Sequence, residues 1–423
     1  MIQRSSNEIY DALVVGAGPA GTSAATILAQ HGRRVALIER ESFPRYKVGE
    51  SMIPHCWYAL DRLGVVDKLD SSDFVVPKHS VQFASTDGVI SAPFYFHEHS
   101  DHPSSRTWQV DRARFDQFLL DHARKAGAEV FEQTAAKELL REGSTVAGAR
   151  VVSPTGEREI RARVTIDASG RDVFSQSRNR WRVSDDELKK VAIWTYFKGA
   201  RRDGGLDEGA TTIAYLEDKG WFWYIPLPDD MVSVGVVAEP GYLYRDPEVR
   251  ELSHIFCREI GLQPWIKEHL AGSEPQKVYR TTRDFTYRSR HCATDGLVLV
   301  GDAFSFLDPV FSSGVFLALT GGVMAGDAVH GALEANDVSA ERFEEYGEKL
   351  CEGIEAMRRL VFAFYDVTFS FGAFLKQHPG RRKEITDVLI GDLFRDFDPL
   401  YEEVARFAKI PGRLPHGTPL AKA

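Results

Sequence analysis

A chain of 423 residues exceeds one ordinary core and suffices for two or three packed units able to enclose a large ligand. Its 43% hydrophobic and 27% charged residues are those of a globular protein and exclude a disordered, collagenous or disulfide-scaffold chain. The formal net charge of -9, with Lys and Arg nowhere concentrated, argues against a nucleic-acid surface; the four scattered cysteines suggest neither a disulfide framework nor a zinc site.

The first ten residues are polar and carry no signal-peptide pattern, and Asp327 interrupts the longest apolar stretch. A cytoplasmic protein without stable membrane insertion is expected.

In chain order, residues 10–15 read as a short strand buried on both faces. Residues 20–31 read as a helix ended by Gly32, and 35–39 as a second strand. This βαβ unit carries Gly16-Ala17-Gly18-Pro19-Ala20-Gly21 at its first turn. Small residues there serve distinct ends: Gly16 a tight turn, Gly18 close approach to a pyrophosphate, and Gly21 close packing of helix on sheet. The helix N terminus then faces the phosphates. Glu39, about 20 residues on, is placed to accept ribose hydroxyls, and an acid there prefers an unphosphorylated ribose.

Residues 52–69 have helical periodicity, and 75–96 alternate around Thr86-Asp87-Gly88 as an antiparallel hairpin would. A helix over 111–127 leads to short strands near 128–131, 146–152 and 164–166, which return the chain to the first sheet. Aromatic and β-branched runs between 191 and 237 predict a second sheet, and 296–300 a buried strand entering Gly301-Asp302-Ala303. Beyond Gly314 the pattern is helical, with aromatics clustered from Phe362 to Phe374.

The fold class expected is α/β. A Rossmann-type (GR2-like) cofactor-binding domain over 5–78, 105–190 and 276–345 is interleaved with an antiparallel β-sheet substrate domain over 79–104 and 191–275. A helical C-terminal region covers 346–423.

Further motifs narrow the reading. Trp108-Gln109-Val110-Asp111-Arg112, Asp167-Ala168-Ser169-Gly170-Arg171 and Gly301-Asp302 resemble the FAD-dependent class related to hydroxybenzoate hydroxylase and geranylgeranyl reductase. The resemblance implies that Asp302 contacts FAD, with Gln109 and Arg112 along it. Phe306-Leu307-Asp308-Pro309-Val310-Phe311-Ser312-Ser313-Gly314 fits F-x-x-P-x-x-S-x-G, and Trp221-Phe222-Trp223-Tyr224-Ile225-Pro226 fits W-x-W-x-I-P. Both patterns resemble flavin-dependent halogenases, and the run Phe43 to Ser51 is similar to that of the group acting on phenols and pyrroles.

What the resemblance implies is a two-component enzyme. A separate NAD(P)H flavin reductase supplies reduced FAD; with oxygen and chloride or bromide, hypohalous acid forms and travels to a lysine near a small aromatic substrate, free or on an acyl carrier protein. Besides the glycine turn, it places Pro19, Ala20, Glu39, Arg40, Arg45, Gly49, Glu50 and Ser51 against FAD, and likewise Ala168, Gly301, Gly314 and Val315. Ser312-Ser313-Gly314 opens a helix, where unsatisfied N–H groups and the dipole favour an anion, and the resemblance implies that the amides of Ser313 and Gly314 bind the halide. Trp221 and Trp223 fall on one face of a strand, and the resemblance implies that they shield the flavin. Lys78 falls at the family's lysine, although His79-Ser80 replaces the commoner Lys-x-Gly; Lys47 is the competing position. A geranylgeranyl-reductase-like oxidoreductase or a flavin monooxygenase is the alternative. The sequence carries no readable code for substrate, halide preference or oligomeric state.

Overall fold

The computed structural model describes residues 9–420 other than 186, 218–219 and 284–285. Residues 5–8 and 421–423, placed above in the cofactor-binding and C-terminal regions, lie outside it.

The first sheet grows outward from β1 (Tyr10–Val15), whose last four residues are buried. β1 pairs in parallel with β2 (Val35–Ile38) on one side and with the strand Gly156–Asp167 on the other. Glu129–Phe131 extends the sheet beyond β2, and Leu297–Leu299 extends it beyond Gly156–Asp167, both in parallel. Strands covered on both faces need continuous apolar runs, and 12–15 and 35–38 supply them. α1 (Pro19–Gln30) begins with Pro at its first position, where the missing N–H costs nothing. The helix Arg112–Ala126 is capped by Asp111, which accepts from the N–H groups of Ala113 and Arg114 at 2.8 and 3.2 Å, and ends on left-handed Gly127.

Two readings change. The strand Ala135–Glu142 was not expected: its Lys, Glu and Leu content lacks strand character, but pairing with Thr145–Ser153 across two bulges overrides local preference. The span 75–96 is not one hairpin. Ser80–Ala84 pairs with Phe94–Tyr95, while Val75–Lys78 leaves to pair with Thr107–Val110. Pro77 cannot donate to a ladder, which suits a short two-stranded ribbon and not a central strand.

The second sheet runs Glu274–Pro275, Val191–Lys198, Met231–Ala238, Trp221–Leu227, Thr211–Tyr215, Ser80–Ala84, Phe94–Tyr95. The stretch 52–69 is irregular and turn through His55, then helical over Cys56–Leu63 and Val66–Asp70, divided at left-handed Gly64. Asp327 does not interrupt its helix. Ser313–Glu334 is 22 residues long and by length and composition alone could cross a membrane, yet it is a packed core helix. A methyl at its Gly322 would lie 2.3 Å from Ala20 O of α1, while Asp327 reaches outward to His31 and Arg62.

Candidate active site

A cavity of about 610 Å³ runs from the β1–α1 turn to the face of the second sheet. Gly16, Gly18, Pro19 and Ala20 line its first end together with Glu39, Arg40, Arg45 and Lys47. The turn is close-packed by necessity. A methyl on Gly16 would come within 2.3 Å of Ala168 O, and one on Gly21 within 1.9 Å of Gly16 O. Gly18 differs, because a methyl there meets only Arg45 Nη2, at 3.7 Å; its smallness leaves room for something outside the protein.

Arg45 is buried beside that space. Its guanidinium binds Asp116 at 2.8 Å and lies 3.6 Å from Glu39, yet its Nε has no hydrogen-bond partner among the described residues. A buried cation with an unspent donor next to a helix N terminus fits a pyrophosphate. Glu39 accepts from the N–H groups of Ala17 and Glu41 at 3.0 and 3.1 Å, which fixes its carboxylate on the cavity at the end of β2. The donors and the cavity volume fit FAD.

The middle of the cavity is walled by Gly49, Glu50, Ser51, Arg112 and Asp302. Arg112 forks onto Asp116 at 2.9 and 3.1 Å and donates to the carbonyls of Val48 and Gly49, so it holds the Phe43–Ser51 segment in place. Burial pushes the Asp302 carboxyl up to about 6, against the pull of Arg171 and Arg112. Gln109 does not reach the cavity: its amide donates to Gly209 O and Thr211 Oγ1 at 2.9 and 2.8 Å, and it positions the wall from behind.

At the far end Trp221 and Trp223 face the cavity from one side of their strand, ring centres 6.1 Å apart. The Trp223 indole lies over Gly235, where a methyl would be 2.2 Å away. Trp221 Nε1 donates at 2.8 Å to the Tyr365 hydroxyl, which in turn donates to Asp308 at 3.0 Å. Asp308 belongs to the loop leading to Ser312, and burial raises its carboxyl to about 6. Ser312 has φ +55°, a left-handed conformation that costs a non-glycine residue on the order of 1 kcal/mol or more. It turns the chain into the helix starting at Ser313, with Gly314 and Val315 on the cavity. A methyl on Gly314 would meet nothing within 4 Å. Ser313 is buried and does not line the cavity, and neither do Gly21 and Gly301, which pack behind it.

Lys78 and Lys47 occupy different settings. Lys47 is part-exposed near Arg40 and pairs with Glu41 at 2.9 Å. Lys78 is 1% exposed and lies behind Ser51, to whose hydroxyl it donates at 2.9 Å; its second bond, also 2.9 Å, goes to Met52 O. Ser51 lines the cavity and Lys78 does not. The Phe96 ring covers the amine at 5.7 Å. Burial brings its pKa down to about 7 and pushes that of neighbouring Cys56 up to about 12, so no anion compensates the lysine.

Sequence reasoning did not single out Asp116, Asp308, Tyr196, Tyr365 or Gly235. The aromatic tail was visible, but nothing in spacing ties Tyr365 to Trp221, 144 residues away.

The tryptophan halogenase family profile matches residues 11–97 and 84–377. A 1H-pyrrole-2-carbonyl-(peptidyl-carrier protein) chlorinase of Pseudomonas fluorescens is 30% identical, over 97% of this chain and 96% of its own. The corresponding brominase of Pseudoalteromonas luteoviolacea is 29% identical over 91% and 92%. Among solved structures, the myxobacterial chondrochloren halogenase superposes with TM-score 0.78 at 31% identity, covering 96% of this chain and 98% of its own. A flavin-dependent brominase does so with TM-score 0.83 at 27% identity, covering 95% and 97%. With likeness held over nearly the whole length, and a cavity whose donors suit a flavin dinucleotide, this chain belongs to the flavin-dependent halogenases, which use FAD and a halide.

Proposed function

We propose that the protein chlorinates or brominates an electron-rich aromatic ring, a phenol or a pyrrole, with Lys78 as the residue that handles the halogen. A pyrrole tethered to a carrier protein is the favoured substrate, because the chlorinase and brominase matched over nine-tenths of this chain act on one. A separate NAD(P)H flavin reductase supplies reduced FAD, in the cytoplasm. When bound, reduced FAD supplies the electrons that let oxygen oxidise the halide.

The observation that carries this reading is the state of Lys78. A neutral amine has two N–H donors, and Ser51 Oγ and Met52 O accept both. Its lone pair is left over, and a pKa near 7 makes that form plentiful at neutral pH. Such an amine can take a halogen from hypohalous acid: the N–X bond forms, the O–X bond breaks, and the amine proton leaves with hydroxide as water. Ser51 separates it from the flavin cavity, which keeps oxidant formation and ring halogenation apart. Gly314 leaves room for halide at the N terminus of its helix, and Trp221 and Trp223 wall off the ring.

The test supplies reduced FAD, oxygen and chloride or bromide to the enzyme with phenols and pyrroles, free and carrier-bound. Products are read by mass spectrometry. Halogen isotope patterns are expected, strongest on the carrier-bound pyrrole. Hydroxylated products alone would overturn the assignment.

A further inference from the structure

Glu50 is the inner end of a hydrogen-bonded chain that starts at the protein surface. It is 3% exposed, lines the cavity, and accepts from the Tyr196 hydroxyl at 2.6 Å. The Tyr196 and Tyr46 hydroxyls are 3.1 Å apart, and Tyr46 is 43% exposed. Trp194 Nε1 donates to the Tyr46 oxygen at 2.7 Å. The order of donors follows from counting protons. While Glu50 is ionised, the one proton of Tyr196 is committed to the short bond with Glu50, so in that state Tyr46 donates to Tyr196 while the indole occupies a Tyr46 lone pair. Every link therefore points inward. On the cavity side, Ser233 Oγ lies 3.4 Å from the other Glu50 oxygen and accepts from Trp223 Nε1 at 3.1 Å.

The reaction needs such a chain. Overall, reduced FAD, O2, halide, ArH and one proton give FAD, ArX and two waters. Oxygen takes four electrons, two from the flavin and two from halide and ring as the C–H bond is replaced by C–X. Its reduction consumes four protons, of which the flavin releases two and the ring one. The fourth must come from solvent in every turnover. Of the other acids lining the cavity, Glu41 is part-exposed and Asp172 exposed, buried Glu39 is taken up by the N–H groups of Ala17 and Glu41 at the turn end, and the Asp302 carboxyl meets no hydroxyl among the described residues, Tyr287 donating to its backbone oxygen instead.

We propose that Tyr46, Tyr196 and Glu50 relay this proton from solvent to the reaction end of the cavity. Glu50 is suited to holding it: burial raises its carboxyl above the ordinary value, while Arg112, Ser233 and the Tyr196 hydroxyl pull the other way. Among the described residues, Arg280, stacked 4.1 Å over Tyr46 and 5.8 Å from the Tyr196 ring, is the remaining charge facing the chain. The inference rests on the halogenase chemistry but not on the pyrrole or its carrier.

The test has two arms, with Glu50→Gln, Tyr196→Phe and Tyr46→Phe. In the apoprotein, infrared titration should show a carboxyl band that Glu50→Gln removes, with a midpoint that Tyr196→Phe moves upward because the carboxylate loses a donor. With FAD bound and FAD affinity verified, single-turnover halogenation of a free ring should slow about 100-fold in Glu50→Gln and about tenfold in Tyr46→Phe. The solvent-deuterium proton inventory should be bowed in the parent and linear in Tyr46→Phe. Glu50→Asp should recover part of the loss. Parent rates in both Glu50→Gln and Tyr46→Phe would overturn the relay. So would slow turnover with an unchanged inventory, which would leave these side chains merely holding Trp194 and Trp223. If Glu50→Gln does not fold, the half-exposed Tyr46→Phe decides. A parent enzyme that halogenates nothing would overturn the function and leave the infrared arm standing.

Discussion

The two ends of the cavity both depend on glycine, for different reasons. At the β1–α1 turn a methyl on Gly21 would collide with Gly16 O at 1.9 Å; on the helix after Ser312, one on Gly314 would touch nothing within 4 Å. The first glycine is required by the protein's own packing. The second is required by nothing the chain contains, so a small residue there points to a ligand. A close-packed motif thus speaks for the fold, and an unfilled one for the chemistry.

The largest effect expected follows at the packed end. Gly21→Ala should cost about 3 kcal/mol, since backbone and not a flexible side chain blocks the methyl, and should abolish FAD binding. Thermal unfolding and flavin titration check this. A stable, FAD-loaded Gly21→Ala protein would show that the turn can relax.

At the reaction end the fold should survive while chemistry fails. Lys78→Ala is expected to lower halogenation about 1000-fold with FAD affinity unchanged. Lys47→Ala, at the part-exposed mouth, should retain halogenation and change only FAD affinity. Product quantification with flavin titration separates the two lysines, and the reverse pattern would move the role to Lys47. A smaller effect is expected for Gly314→Ala: half-saturating halide should rise about tenfold, while the added methyl favours the helix by about 0.5 kcal/mol. Unchanged halide dependence would leave Gly314 an ordinary helix residue.

The same contrast explains what the sequence could show. β1, α1, β2 and Glu39 were legible because one short stretch carries strand period, turn and acid together. Trp221 and Trp223 were legible as a pair because strand geometry puts alternate residues on one face. The Trp221–Tyr365–Asp308 and Tyr46–Tyr196–Glu50 chains were not, because each joins elements that only tertiary packing brings together. Ala135–Glu142 escaped for a related reason, its strand being imposed by a neighbour. Gln109 was assigned to the cofactor from its motif, yet it turns to Gly209 and Thr211, which no spacing rule reveals.

The smallest effect expected concerns stability and bears on why so unfavourable a group as Lys78 is buried. A lysine whose pKa falls from 10.5 to about 7 on folding binds its proton less readily in the native state. Between those values the unfolded chain holds more protons, so this group makes stability rise with pH; its penalty is complete below about 7 and gone above 10.5. Lys78→Met removes the charge and keeps the volume. It should therefore raise Tm by about 2 °C at neutral pH, and the gain should shrink as pH climbs toward 10. Melting curves of both proteins across that range check the sign. A gain that stays constant with pH would mean that Met simply packs better, and that Lys78 is not held near neutrality. A gain that vanishes as the pH rises would identify the lysine's burial as a cost the fold bears for the sake of an amine that is free to react.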